Sequence, residues 1–249
     1  MKNKVIKKIC GLLGYRLIDK KLFKNNRLIS SYSFLSVNRI LNNIFQNNEI
    51  NSLVQIGAND GVRFDSLNKF INKYKINCLL VEPIQDNFEK LIMKYKNSKF
   101  VKLENSAIST NNEISFLYKV NNKYLSYYDD HIPGITSFDK NHLLNHGVKK
   151  NHIVIEKINS ITVKELTEKH NIKNIDLFYV DAEGYDGKIV IDLLTNTSFK
   201  PIIFFEYIHI DNEILYELLN KLHNFNFKIF PINENIICYP ESKKIEIDS

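Results

Sequence analysis

The chain has 249 residues and a mass of 29.2 kDa, room for one α/β domain with a sizeable core and too little for two ordinary enzyme domains. Its 44% hydrophobic, 12% aromatic and 25% charged residues exclude a disordered chain, and no apolar run reaches the roughly 18 to 20 residues that span a bilayer. The net charge of +6 and a pI near 9.0 leave an anionic partner open without requiring one.

In the first 24 residues, Lys2, Lys4, Lys7, Lys8, Arg16, Lys20, Lys21 and Lys24 interleave with Val5, Ile6, Ile9, Leu12, Leu13, Leu17 and Leu22. That spacing predicts a basic amphipathic helix, interrupted near Gly11 and Gly14. It is expected to lie on the domain or on a partner subunit of a homo-oligomer, with membrane-surface contact as the alternative. Residues 1–48 are read as this helical extension and 49–249 as the main domain. The beginning of the sequence lacks the continuous apolar core of a signal peptide, so a cytoplasmic protein is expected. Cys10, Cys78 and Cys238 show neither a metal-ligand spacing nor a disulfide framework, and should be reduced packing residues.

From Ser52 onward, short Val/Ile/Leu-rich runs alternate with segments of helical period, the pattern of a mostly parallel, doubly wound sheet. Strands are predicted at Ser52–Ile56, Asn77–Glu82 and Lys99–Leu103, with helices at Phe64–Tyr74 and Asp86–Tyr95 between them. The regularity then lapses over 114–152, which carries a hairpin-like piece, Tyr124, Tyr127, Tyr128 and the Pro133-Gly134 turn. A long irregular stretch inside a compact domain is usually functional, so this insertion is the candidate substrate loop. Its histidines, His131, His142, His146 and His152, show no zinc spacing and are expected to line a pocket or face water. Order returns with strands at Ile153–Ile158, Ile175–Val180 and Ile202–Tyr207. Helices follow at Thr162–His170, Tyr185–Leu194 and Asn212–Leu222, and the strands Lys228–Phe230 and Ile236–Tyr239 should form an antiparallel pair. The sheet is read as doubly wound, mostly parallel and seven-stranded, of Rossmann-like type.

The most informative segment is Gln55-Ile56-Gly57-Ala58-Asn59-Asp60-Gly61, where an apolar strand runs into a glycine-containing turn that opens a helix. Gly57 and Gly61 let the backbone bend and approach a ligand closely, and the helix N-terminus presents free N–H groups. Glu82, followed by Pro83 at the carboxyl end of the second strand, lies where an acid can accept hydrogen bonds from both ribose hydroxyls of a nucleoside. A dinucleotide would suit the same acid. The turn, however, lacks the G-x-G-x-x-G spacing, and Asp60 would set a carboxylate where a pyrophosphate should sit. Asn105 and Ser106, after the third strand, are placed to meet the adenine.

These segments, together with Ile161-Thr162-Val163-Lys164-Glu165-Leu166 and Ile175-Asp176-Leu177-Phe178-Tyr179-Val180-Asp181-Ala182-Glu183-Gly184, resemble the FkbM family of S-adenosylmethionine methyltransferases over roughly 52–207. The resemblance implies S-adenosylmethionine as cofactor, held by Gln55, Gly57, Asn59, Asp60, Gly61, Glu82, Pro83, Asn105, Ser106 and Asp181. It also implies O-methylation of a sugar or sugar-bearing intermediate in surface-polysaccharide biosynthesis. Family members usually carry an acid where this chain has Gln55, and a lysine in the strand where it has Phe178-Tyr179.

Methyl transfer to a hydroxyl needs donor and acceptor held in line and a group to take the acceptor's proton. Asp181 is expected to orient both, with Glu206 or His209 as base, since all three end adjacent strands on one rim. Asp181, Glu183 and Glu206 could also hold a divalent metal through hard oxygen ligands. Two other classes compete: a nucleic-acid methyltransferase, using the basic charge, and a non-catalytic nucleoside-binding module. No nucleic-acid partner is expected of the leading reading.

Overall fold

A computed structural model of the chain describes residues 37–62, 65–110, 114–129 and 132–243. The predicted helix in the first 24 residues, Cys10 and His131 lie outside these. Residues 37–243 belong to one compact unit.

The elements run α1 (Val37–Asn47), β1 (Ser52–Ile56), α2 (Asn68–Tyr74), β2 (Asn77–Val81), α3 (Gln85–Tyr95), β3 (Val101–Glu104), β4 (Ala107–Ile108) and β5 (Ile114–Val120). Then come β6 (Thr136–Ser137), α4 (Lys140–Asn145), β7 (Ile153–Ile161), α5 (Val163–Lys169), β8 (Leu177–Val180) and α6 (Asp186–Asn196). The chain closes with β9 (Ile202–Glu206), α7 (Asn212–Asn224), β10 (Phe227–Ile232) and β11 (Asn235–Pro240). Seven strands form the main sheet in the order β10-β11-β9-β8-β1-β2-β3, all parallel except β11, which runs antiparallel to both neighbours. The expected fold class therefore holds.

The period of two along each strand decides what each face buries. Val54, Phe178, Val180, Ile203 and Phe205 point to one face, where α5, α6 and α7 cover them. Leu53, Leu80, Leu177, Tyr179 and Phe204 point to the other, where α1, α2 and α3 pack. Residues 37–47, grouped with the extension in the sequence reading, thus bury Ile40, Leu41, Ile44 and Phe45 in this second layer. Because α2 leaves β1 toward one face and α6 leaves β8 toward the other, a crevice opens between the carboxyl ends of these neighbouring strands. Cys78 and Cys238 are buried unpaired thiols, and burial pushes Cys78 up to about 12.

The insertion is more ordered than the sequence suggested. A second sheet, β4-β7-β5-β6, is built on a seven-position antiparallel ladder between β5 and β7. The strand expected at Ile153–Ile158 therefore runs on to Ile161 and joins this sheet instead of the parallel one. Within the insertion His152 stacks on Tyr124 with ring centroids 3.8 Å apart, and its Nδ1 lies 2.8 Å from the Tyr128 hydroxyl. These rings hold the insertion together.

One carboxylate ties the starts of β1 and β8. Asp176 Oδ2 accepts from the Asn51 and Ser52 amides, both at 3.0 Å, and from Ser52 Oγ at 2.9 Å, while Oδ1 accepts from Asn174 Nδ2 at 2.9 Å. Burial alone would raise its pKa, but the bonds from Asn174 and Ser52 outweigh it and hold the group below the ordinary carboxylate value. Its contribution is present above that ordinary value and fades as acid protonates the folded form. Replacing it (Asp176→Ala) leaves the part-buried Asn51 and Ser52 bonds without their acceptor, so thermal or denaturant unfolding should show a loss of about 1 to 3 kcal/mol.

Candidate active site

At the end of β1 the chain turns sharply over β2, with the Gly57 and Ala58 amides both donating to the Val81 carbonyl at 3.0 Å. Gly57 has φ 81°, and a Cβ there would stand 1.9 Å from the Asp181 carbonyl oxygen, so only glycine fits. Asn59 follows at φ 49° and Gly61 at φ 70°, where a Cβ would press to 2.7 Å from Leu91 of α3. Gly61 is thus required by packing.

Glu82 reaches back into this turn. Its Oε2 accepts from the Asn59 amide at 2.9 Å and its Oε1 from the Ile84 amide at 3.0 Å, so one carboxylate fixes the loops after β1 and β2. Asn87 also hydrogen-bonds to this carboxylate, which keeps only part of its acceptor capacity for a ligand. Burial raises the pKa of Glu82 to about 7 despite those bonds.

A cavity of about 480 Å³ opens above β1 and β8. Gly57, Asn59, Glu82, Pro83 and Ser106 line it from one side, and Asp181, Glu183, Glu206 and His209 from the other. Gly134, Ile135, Thr136, Phe138 and His146 of the insertion also contribute wall. The structure thus brings together most of the residues singled out in the sequence. Four do not line the cavity. The Asp60 carboxylate accepts from the Val62 amide at 2.9 Å at the exposed edge of the turn. Asn105 donates from Nδ2 to the Glu82 and Pro83 carbonyls at 2.9 and 3.2 Å, spending its amide on the loop. Gly61 serves packing, and buried Gln55 donates to Asp65 at 3.3 Å.

Asp65 was missed in the sequence. Its Oδ1 accepts from the Leu67 and Asn68 amides at 2.8 and 3.1 Å, capping the turn into α2, while its buried Oδ2 has no hydrogen-bond partner. Since Asp65 lines the cavity, that orphaned oxygen is ready for a cation or N–H donor. Burial raises its pKa, opposed by bonds from Leu67 and Gln55. In the sequence Asp65 falls inside the predicted helix Phe64–Tyr74, where an acid in the first turn is ordinary.

The opposite wall is densely acidic. Burial drives the Asp181 pKa well above the ordinary value, and repulsion from Asp186, Glu183, Glu206 and Glu82 adds to it. Glu206 is pushed up to about 8 by burial and then by Glu183, Asp186 and Glu234. Fully buried Asp186 ties the loop after β8, accepting from the Ala182 and Gly184 amides, both at 3.2 Å. Burial raises it to about 6.

His209 Nε2 sits 3.9 Å from Glu206 Oε2, and burial followed by the neighbouring His142 lowers its pKa. His142 Nε2 lies 3.0 Å from Glu183 Oε2. The insertion docks here a second time, through Ser137 Oγ donating to the Glu183 carbonyl at 3.2 Å. The expectation that the insertion histidines are scattered is corrected for two of them: His142, His146 and His209 form one cluster, with ring centroids 4.6 to 5.2 Å apart. His152 is held in the insertion's own aromatic packing.

A family model, the methyltransferase FkbM domain, matches residues 55–229. Among solved structures, methyltransferase FkbM from Methylobacillus flagellatus is similar at 11% identity and TM-score 0.45, covering 76% of this chain and 43% of its own. The chain therefore spans under half the length of that relative. An SAH-bound methyltransferase of Podospora anserina is similar at 12% identity and TM-score 0.44, over 90% of this chain and 89% of that one. Aeropyrum pernix fibrillarin, in complex with natively bound S-adenosyl-L-methionine, stands at 8% identity and TM-score 0.40, over 80% and 72%. All three are remote likenesses. A comparison with curated protein sequences gave no match.

The raised carboxyls set a pH dependence of stability. Burial holds Glu82, Asp186 and Glu206 protonated in the folded state up to about 7, 6 and 8, whereas the unfolded chain releases those protons near the ordinary carboxylate values of 3.8 to 4.5. Between those limits the folded state binds more protons, so stability falls as pH rises. Differential scanning calorimetry of the ligand-free protein should show Tm declining from pH 5 to pH 8.5. Glu206→Gln should flatten that decline.

Proposed function

The chain belongs to the FkbM family of methyltransferases, and from that premise we propose that it is an S-adenosylmethionine-dependent O-methyltransferase acting on a sugar or sugar-containing intermediate in surface-polysaccharide biosynthesis. The observation that carries the reading is one cavity with a nucleoside-suited wall at Gly57, Asn59 and Glu82 and a polar, acidic wall at Asp181, Glu206 and His209. S-adenosylmethionine fits what the residues offer. Glu82 has lone pairs for ribose hydroxyls, and the orphaned Asp65 oxygen suits the ammonium of the methionine part. The surrounding acids favour a cation over a phosphate.

When bound, the donor supplies a methyl group on a cationic sulfur. Asp181, between the two walls, orients donor and acceptor. The Glu206–His209 pair takes the proton of the attacking hydroxyl, His209 being the better base at neutral pH because its lowered pKa keeps it uncharged. Polar groups converging on an otherwise apolar cavity suit a hydroxyl-rich small molecule, which the insertion residues Ile135, Thr136 and Phe138 would contact. The acid-rich wall repels a nucleic-acid backbone, which counts against an RNA or DNA acceptor. Among the described residues no helix is long and apolar enough to cross a membrane. A cytoplasmic homo-oligomer, with peripheral contact through the first 24 residues, completes the proposal.

Isothermal titration calorimetry should detect S-adenosylmethionine or its demethylated product, and Glu82→Gln should weaken uptake by roughly 1 to 3 kcal/mol without unfolding the protein. Incubation with labelled donor should transfer methyl groups to a nucleotide-linked or free sugar from a panel, and Asp181→Asn should abolish transfer. Label appearing in RNA and in no sugar would overturn the acceptor class. Donor uptake with unchanged behaviour of Asp181→Asn would favour a binding module.

A further inference from the structure

We propose that His142, His146 and His209, completed by the Glu183 carboxylate, form a binding site for one divalent transition ion of the zinc class. His142 lies in α4 and His146 at its C-terminal cap, four residues apart, so one helical turn sets both rings on the same face. His209, just beyond β9, enters from the main sheet. The three ring centroids are 4.7, 4.6 and 5.2 Å apart. One ligand atom from each lies within 4.8 Å of the others, and the same holds for Glu183, Glu206 and His209, so the two trios share His209. A tetrahedral ion with bonds of about 2.0 to 2.1 Å needs ligand atoms about 3.3 Å apart. Small side-chain rotations close that difference, and His142 Nε2 already stands 3.0 Å from Glu183 Oε2.

The donor set selects the ion. Three imidazole nitrogens and one carboxylate suit Zn2+ or Co2+, whereas Mg2+ and Ca2+ take oxygen ligands. Two ligands come from the insertion and two from loops after β8 and β9, so the ion would lock the insertion to the sheet. His146, Glu183 and His209 also line the cavity, so an acceptor oxygen would reach the ion from that side by expanding it from four to five ligands. Binding of the ion stands on its own, and its use in catalysis rests on the methyl-transfer reading. In that use the ion holds the acceptor hydroxyl. With His209 held by the ion, Glu206 takes its place as the acceptor of the hydroxyl proton, while the O–CH3 bond forms as the S–CH3 bond breaks and the sulfur leaves as a neutral thioether.

The test is titration of metal-stripped, full-length protein with Co2+, followed by absorption, and with Zn2+, followed by calorimetry. Saturation at one ion per chain with cobalt d–d bands is expected, with no response to millimolar Mg2+. His146→Ala and His209→Ala should each weaken Zn2+ binding by about 100-fold or more. Circular dichroism and S-adenosylmethionine uptake on the same samples establish that each variant is folded. Folded wild-type protein that takes up neither ion overturns the site, as does a triple alanine variant at His142, His146 and His209 that binds as tightly as wild type. Ion uptake without donor uptake would instead sink the methyl-transfer reading and leave the site standing.

Discussion

The approach of Gly57 to the Asp181 carbonyl is the contact on which the rest of the architecture turns. Strands β1 and β8 are parallel neighbours whose following helices depart to opposite faces, and a side chain at this one position would drive their ends apart. Because it is absent, the Asp181 amide donates to the Ile56 carbonyl at 3.0 Å, and the two loops that carry the nucleoside-facing and acidic walls begin side by side. Asp176 fixes the opposite ends of the same two strands. Between these two ties the strands have little freedom to slide, so side chains on separate loops keep a fixed relation across the cavity.

Electrostatically the cavity is a deficit awaiting a cation. Asp65, Glu82, Asp181, Asp186 and Glu206 all have pKa values displaced upward, and in each burial is the leading cause. A fold assembled for stability alone would pair such groups with lysine or arginine. Lys94 near Asp65 and His209 near Glu206 offset that cost only in part, and a sulfonium, an ammonium or a metal ion each relieves it in the same way. Stability and ligand capture are therefore two readings of one arrangement.

The parts legible in the sequence were those with short-range causes. Leu53 to Ile56 and Leu177 to Val180 announce themselves as parallel strands because both faces of each are buried, and strand-end position then placed Glu82, Asp181 and Glu206 on one crevice. The long-range features were hidden. The four-residue spacing of His142 and His146 was visible, but its meaning depends on His209, which only the folded chain brings near. Asp65 was hidden as well, because it fell inside the predicted helix Phe64–Tyr74, whereas in the fold it precedes α2 and accepts from the Leu67 and Asn68 amides. The partner of β7 was equally hidden, since an alternating strand names its pleat and not its neighbour. Asn105 and Asp60 occupied the expected places, yet their side chains turn to the backbone, a choice local sequence does not fix.

The ladder between β5 and β7 has a consequence for how this molecule can diversify. It clamps Val120 against Ile153, so the polypeptide between them is a closed loop whose ends are already held. Once a loop is closed, doubling its length adds only about 0.6 kcal/mol of entropy. Added residues at its exposed points, away from the packed core of Val120, Ile132, Ile135, Leu143 and Val148, would therefore cost little, while the half that begins at Gly57 stays under the tight steric rule at its first turn.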